Sequence, residues 1–275
     1  MNLDVLFQQP NALPTAPKVV QELINSFNDE HVSADEIARK LAADPVLSAK
    51  LLRLANSAYY RVSRSVSTVD EAVVMLGFVT VRTLVISGGL VNGFKSTPGL
   101  DLKQFWRYSL HTAVVAKWLS RQVDENSDLA FTVGMTHAIG QLVIHAGLPE
   151  QALKLDNVVS PLDVRRFETE RNSLGYDYAE VGAELASRWK FPEDFSSAIR
   201  AFPNPLEQQP FIPMAAIIHL AAWFARSNEN NLPADEMRAG CPTEVAAKLG
   251  LDPSVLLDHM PPLSELSEGL EELIA

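Results

Sequence analysis

One histidine near the middle of the chain has surroundings that suggest chemistry. His137 lies in residues 131–146, a largely apolar stretch, so its imidazole is expected inside the protein. A neutral imidazole nitrogen can bind a transition metal or exchange a proton near neutral pH. The next residue, Ala138, carries a methyl group that can do neither. A metal site here would need its other ligands from elsewhere in the chain.

Three further histidines lie in apolar segments that read as helices. His111, His145 and His219 could rebuild a ligand set around His137, but no aspartate accompanies them in sequence. We therefore favour structural histidines over metal ligands. No Walker-type phosphate loop, Gly-x-Ser-x-Gly elbow or cysteine pair is present. Asp177 and Glu180 share a helix and are expected to be solvated surface.

A basic cluster follows the first helices, and no acidic residue occurs from 46 to 69. Basic groups interleaved with aromatic rings could bind a nucleotide, a nucleic-acid strand or a protein partner. The alternative is that the tyrosines pack between two lobes while the basic groups are solvated, which the overall charge favours. The cluster comprises Lys50, Arg53, Tyr59, Tyr60, Arg61 and Arg64.

The totals exclude several classes of function. The 275 residues include 23 basic and 34 acidic side chains, a net charge of −11, which argues against non-specific binding to nucleic acid or to an anionic membrane. The single cysteine, Cys241, cannot form an internal disulfide, and residues 1–10 do not resemble a signal peptide, so we predict a cytoplasmic protein. Residues 72–91 are apolar but contain Arg82, which favours a buried helix over a membrane span.

Helical periodicity runs through the chain and no segment alternates convincingly, so the predicted fold is all-α. Residues 87–101, rich in Gly, Ser and Pro, are predicted to be a linker or hinge, with Gly88, Gly89 and Gly93 supplying the flexibility. Residues 251–275 carry six acidic side chains and no Lys or Arg. We expect a solvated helical face that packs leucines inward, rather than an acidic interaction tail.

Several separated segments, in the right order, resemble the HDOD (HD-related output domain) group of bacterial signalling proteins, a branch of the HD phosphohydrolase superfamily. They are Leu13-Pro14 and residues 43–47, 51–60, 71–77, 105–110 and 175–182. The resemblance implies an HD-like helical bundle with an N-terminal helical lobe. We divide the chain into an N-terminal lobe (residues 1–95), an HD-like lobe (96–230) and an acidic helical extension (231–275).

The resemblance also locates the positions at which HD enzymes hold their metal. The first histidine corresponds to Tyr108, the His-Asp dyad to His137 and Ala138, and the final aspartate to Ala222. One ligand in four remains. This departure implies no catalytic residue, no metal and no cofactor, with His137 as the sole residual metal candidate.

Three functions stay open at this stage. The leading one is a non-catalytic signalling or regulatory module that acts through protein partners, as a monomer or a homodimer, without membrane or nucleic acid. The second is an HD-type metal-dependent phosphohydrolase acting on a nucleotide or cyclic dinucleotide. The third is a nucleotide-binding sensor that uses a cavity between the lobes.

Overall fold

The computed structural model describes residues 3–9, 12, 18–25, 34–60, 62, 64–94 and 97–274. Throughout these ranges the regular structure is helical, and no strand occurs in them. One continuous apolar core joins the two lobes. The predicted all-α fold is confirmed.

Six helices lie within the described part of residues 1–95, the predicted N-terminal lobe, although the first of them packs on residues 139–147 in the second half of the chain. They are α1 (Leu3–Phe7), α2 (Lys18–Asn25), α3 (Ala34–Ala42), α4 (Pro45–Ala55), α5 (Val69–Leu76) and α6 (Phe78–Gly93). Asp44 caps α4 by accepting the N–H groups of Val46 and Leu47 at 3.0 and 3.1 Å, with Pro45 in the first helical position. At Gly77, whose φ is +81°, the chain turns by 119° from α5 into α6. Only glycine adopts this backbone conformation without strain.

The predicted linker at residues 87–101 is wrong over its first half, because α6 continues to Gly93. Gly88 and Gly89 lie inside this helix and contact side chains of other segments. A Cβ on Gly89 would lie 2.4 Å from Val20 Cγ2, so α2 and α6 can meet only where a side chain is missing. The predicted apolar segment 72–91 is thus two helices in the core of the first lobe.

Eight helices build the second lobe. They are α7 (Leu102–Gln122), α8 (Ser127–Thr136), α9 (Ile139–Gly147), α10 (Pro149–Asp156), α11 (Arg166–Leu174), α12 (Tyr178–Arg188), α13 (Glu193–Ala201) and α14 (Pro213–Glu229). Helix α7 packs between α8 and α14, and α9 packs on α12. The segment predicted as one helix over 131–146 is interrupted at His137 and Ala138. Residues 127–147 are apolar and long enough to cross a membrane. However, 89% of the apolar 18-residue stretch within them is buried inside the protein.

The C-terminal extension returns to the first lobe. It contains α15 (Ala234–Gly240), α16 (Thr243–Lys248), α17 (Pro253–His259), α18 (Leu263–Leu266) and a 3₁₀ turn at Glu271–Leu273. Helix α18 packs on α7, and the 3₁₀ turn packs on α4 and α6. Leu270 and Leu273 are fully buried, and Leu266 packs against the core, as the sequence predicts.

Candidate functional site

His137 lies at the interruption between α8 and α9 and is fully buried. Its Nδ1 lies 2.7 Å from the carbonyl oxygen of Gly134. A carbonyl can only accept, so Nδ1 carries the proton and Nε2 keeps a lone pair. Burial lowers the pKa of His137 to about 3, and the Arg226 guanidinium acts in the same direction. The ring is therefore neutral at physiological pH.

Aromatic rings enclose the imidazole. Tyr108 from α7 meets it edge to face with ring centroids 5.0 Å apart, and Phe202 does so at 5.3 Å. Tyr178, at the start of α12, lies 6.0 Å from Phe202. The Nε2 atom of His137 is buried and has no hydrogen-bond partner. The imidazole is thus packed as an aromatic core side chain.

Two glycines set the position of His137 by allowing helices to approach. A Cβ on Gly134 would lie 2.7 Å from Ala113 Cα, which fixes α8 against α7. A Cβ on Gly140 would lie 1.9 Å from the carbonyl oxygen of Tyr178, which fixes α9 against α12. Real Cβ atoms do not approach backbone this closely, so both positions require glycine.

An arginine that the sequence did not single out lies beside this aromatic cluster. Arg226, on α14, directs Nη2 to the hydroxyl of Tyr108 at 3.4 Å. Ala222, the position corresponding to the final HD aspartate, is one helical turn earlier and buried. Burial tends to lower the pKa of Arg226, but Tyr108, Tyr178 and the Asp163 carboxylate together oppose it and the net shift is upward. A guanidinium, rather than a carboxylate, therefore projects from α14 toward the cluster.

These residues do not fit a divalent metal. Of the four positions, Tyr108, His137, Ala138 and Ala222, only His137 offers an imidazole, and the two alanines offer no donor. In the part of the chain that the structure describes, no group of three or more His, Cys, Asp or Glu side chains could hold a metal ion. A stable catalytic zinc site uses three protein ligands, and harder cations need several oxygens.

The other histidines have partners of their own. His111 Nδ1 lies 3.4 Å from Glu229 Oε1, and Arg107 holds the same carboxylate through two hydrogen bonds of 2.8 and 2.6 Å. The Nδ1 of His219 lies 2.8 Å from the carbonyl oxygen of Phe202. Neither forms a ligand set with His137.

His145 belongs to a buried chain of ionic contacts that the sequence did not reveal. Its Nδ1 donates to the Gln141 carbonyl at 2.8 Å, and its Nε2 lies 3.0 Å from Asp156 Oδ2. Arg166, which is fully buried, links Asp156 to Glu170 through contacts of 2.7 Å each. Burial raises the pKa of Glu170 to about 7, although Arg166 and a Tyr178 N–H bond oppose the rise. This network joins α9, α10, α11 and α12 beneath the aromatic cluster.

The prediction that Asp177 is solvated surface is wrong. Asp177 is fully buried, caps α12 by accepting the N–H groups of Ala179 and Glu180, and pairs with Arg171 Nε at 2.7 Å. The Glu180 carboxylate accepts the Asp177 N–H in return, which completes a capping box. Its role is to fix the start of α12.

The basic cluster divides between two surroundings, and Arg61 lies outside the described residues. Tyr59 and Tyr60, with ring centroids 4.9 Å apart, line an interlobe groove of about 630 Å³ together with Lys117, Trp118 and Asp128. Lys117 Nζ lies 3.2 Å from Asp128 Oδ1 and 5.9 Å from the centre of the Tyr59 ring. The tyrosines therefore pack between the lobes.

The basic members of the cluster contact acidic residues of the same chain. Arg53 Nη1 donates to Glu272 Oε2 at 2.6 Å, and Arg64 lies 3.8 Å from Glu71. Burial lowers the pKa of Lys50, and the Glu272 carboxylate opposes that shift. The basic cluster and the acidic extension are far apart in the sequence, and the fold brings Arg53 into contact with Glu272.

The fold and the site together define an all-helical domain of HD type, in which one buried imidazole, a phenol and two methyl groups stand at the positions predicted from the resemblance to match the metal ligands. The HDOD domain family matches residues 13–205, which is more than half of the chain. The chain belongs to the HDOD family.

Solved structures share this fold along nearly the whole chain. A Shewanella amazonensis protein with a provisional assignment as a phosphohydrolase is 33% identical, with a TM-score of 0.80 and 98% of each chain covered. An HDOD domain protein of unknown function from Geobacter sulfurreducens is 24% identical, with a TM-score of 0.74 over 99% of this chain and 95% of that one.

An uncharacterised protein of Treponema pallidum is 26% identical over 218 residues, or 77% of this chain. Because that protein is longer, the match spans only 42% of its length.

Proposed function

We propose that the protein is a non-catalytic regulatory module that relays a signal through contacts with protein partners. The observation that carries the proposal is the donor set at the HD positions, where one buried imidazole is left. The other ligands are replaced by a phenol and two methyl groups. Metal-dependent hydrolysis needs an ion that lowers the pKa of a bound water and polarises the phosphoryl oxygen. The described side chains around His137 do not assemble the ligands for such an ion.

Electrostatics support the same proposal. Arg226 carries a positive charge beside Tyr108 and His137, in surroundings that are largely shielded from water. A cation is disfavoured next to another cation in such a low-dielectric site. An aspartate on α14 would bring a negative charge to this site, whereas Arg226 brings a positive one.

The alternative is a metal-dependent phosphohydrolase acting on a nucleotide or cyclic dinucleotide. It is favoured by the 33% identical Shewanella amazonensis protein and its provisional phosphohydrolase assignment. A third candidate, a nucleotide-binding sensor, is favoured by the interlobe groove, where Tyr59 and Tyr60 could stack on a base and Lys117 could meet a phosphate.

One set of measurements separates these three. Protein purified without chelator is analysed for transition metals and assayed with Mn²⁺, Mg²⁺ and Fe²⁺ on nucleoside triphosphates and cyclic dinucleotides. We expect far less than one metal per chain, no turnover, and no heat on calorimetric titration with the same nucleotides. Turnover that is lost in His137→Ala but kept in the exposed control His259→Ala would establish the phosphohydrolase. Nucleotide binding without turnover would establish the sensor.

A further inference from the structure

The C-terminal strap, defined here as residues 263–274, covers the boundary between the two lobes. Helix α18 lies on α7, and the following 3₁₀ turn lies on α4 and α6. Between them Gly269 has φ +80°, and a Cβ there would come within 2.9 Å of Ser57 Cβ. We infer that the strap occupies, within the same chain, a docking surface for an acidic, leucine-bearing segment of a protein partner. This inference rests on the proposed function, in which the protein acts through such contacts.

The apolar part of the contact follows a simple pattern. The strap presents leucines spaced by three, four and three residues, namely Leu263, Leu266, Leu270 and Leu273. Leu270 and Leu273 are completely shielded from solvent. The Cδ1 atom of Leu273 lies 3.6 Å from where a Cβ of Gly88 would be, an ordinary van der Waals distance, so this leucine packs directly on α6. The surface therefore selects leucines at this spacing.

The charges on the two sides are complementary. The strap carries Glu265, Glu268, Glu271 and Glu272 and no basic residue. On one side, Arg53 binds Glu272 at 2.6 Å and Lys50 lies in the field of the same carboxylate. On the other side, Glu271 lines a groove of about 520 Å³ with Lys103, while Arg107 and His111 in the same groove contact Glu229. A competing segment must therefore offer carboxylates between its leucines.

The strap is held in a way that permits exchange. Its ion pair is open to water, since the Arg53 and Glu272 side chains are 64% and 41% exposed, and such pairs add little stability. Open grooves of about 630 and 520 Å³ flank it on both sides. The docking surface on α4, α6 and α7 lies within residues 13–205, the part matched by the HDOD family, and the strap lies outside that part. The surface thus belongs to the part of the chain that the family model matches, and the strap covers it.

The test uses the full chain and a fluorescein-labelled peptide with the sequence of residues 261–274. Leu270→Ala combined with Leu273→Ala removes the two buried anchors from the attached strap and leaves the surface beneath it intact. An attached segment competes at an effective concentration near the millimolar range. We expect the peptide to bind this variant about tenfold or more tightly than it binds the wild-type chain. The same peptide with both leucines replaced by alanine should bind neither protein.

Charge variants supply the matched controls. Arg53→Glu added to the double variant should weaken peptide binding and reduce its salt dependence. Arg39→Glu makes the same charge change on α3, where the exposed Arg39 donates to the Asp35 carbonyl at 3.2 Å, and should leave binding unchanged. If the double alanine variant does not fold, Leu273→Ala alone removes one of the two buried anchors and should change peptide binding in the same direction.

Two results would overturn the inference. Equal or undetectable peptide binding to wild-type and strap-weakened proteins would mean that the strap is a permanent part of the fold. A strap variant or wild-type chain that forms dimers whose strap sits on the neighbouring copy would assign the surface to self-association. Neither measurement involves metal or nucleotide, so a failure here is distinct from a failure of the proposed function.

Discussion

The imidazole of His137 and the phenol ring of Tyr108 meet edge to face, with centroids 5.0 Å apart, at two positions that the sequence resemblance predicts to match metal ligands of HD enzymes. Here the two side chains pack against each other and do not bind a metal ion together. Tyr108 is 3% exposed and His137 is fully buried, so both rings contribute their surface to the core. The residual histidine is therefore explained by stability, and this explanation can be tested.

His137→Ala should destabilise the protein. The change removes a fully buried ring, leaves a cavity against Tyr108 and Phe202, and deprives the Gly134 carbonyl of its partner. Large-to-small changes of this kind cost about 3 kcal/mol. Urea unfolding followed by circular dichroism measures the loss, and the exposed His259→Ala should leave the midpoint unchanged. An unaltered midpoint in His137→Ala would show that the ring packing is not stabilising.

The stability of the protein should fall with acid because of His137. Its pKa is lowered from 6.5 to about 3 in the folded state, so the unfolded chain binds the proton more tightly. The contribution is fully present above pH 6.5 and is lost at up to about 1.4 kcal/mol per pH unit as the pH falls toward 3.

The variant His137→Leu isolates this effect, because other titrating groups contribute equally to both proteins. We expect the free energy of unfolding of the wild-type chain to fall more steeply than that of His137→Leu between pH 6.5 and 4.5. Parallel curves would mean that His137 is protonated in the folded protein.

The helices and their caps were predictable because their causes are local. The Asp44-Pro45 pair marks the start of α4, and its capping bonds join residues no more than three apart. The buried location of His137 also followed from its apolar neighbours. The break at His137 and Ala138 could not be predicted, because the apolar pattern continues unchanged through it.

The wrong hinge prediction at residues 87–93 concerns contacts between residues distant in sequence, whereas the misplaced Asp177 belongs to a local capping box with Glu180. Gly88 and Gly89 suggest a hinge, yet their packing partners, Val20 and Leu273, lie near opposite ends of the chain. Arg166 and Glu170 have the spacing of an ordinary surface pair on a helix, and only the fold shows that both are buried. No local signal distinguishes these cases.

Two glycine variants test the interpretation of these close contacts. Gly88→Ala lies inside α6 with its nearest neighbour at 3.5 Å, an ordinary contact, so it should stabilise the protein by about 0.5 to 1 kcal/mol through helix propensity. Gly140→Ala would place a methyl group against the Tyr178 carbonyl and should destabilise by at least about 1 to 3 kcal/mol. Thermal unfolding of both variants measures the difference. Destabilisation by Gly88→Ala would indicate that residues 87–93 need the flexibility that the sequence first suggested.

Arg165 and Arg166 are neighbours in sequence but differ completely in burial, so they make a matched pair for testing the buried ionic network. Arg166 has no exposed surface and is held by Asp156, Glu170 and the Val159 carbonyl, whereas the adjacent Arg165 is mostly exposed and pairs with Asp163. Arg166→Ala leaves the Glu170 carboxylate buried without its cation and should cost about 3 to 5 kcal/mol. Arg165→Ala should leave the urea midpoint unchanged.

Combining Arg166→Ala with Glu170→Gln should recover part of the loss, because the uncompensated buried charge is then removed. The combined variant, compared with each single change in a double-mutant cycle, measures this coupling. Additive losses in the cycle would mean that Glu170 is already protonated in the native protein. That is a realistic competing state, because burial raises its pKa to about 7. In that case the recovery should appear only when the same cycle is measured at pH 8, where the carboxylate is ionised.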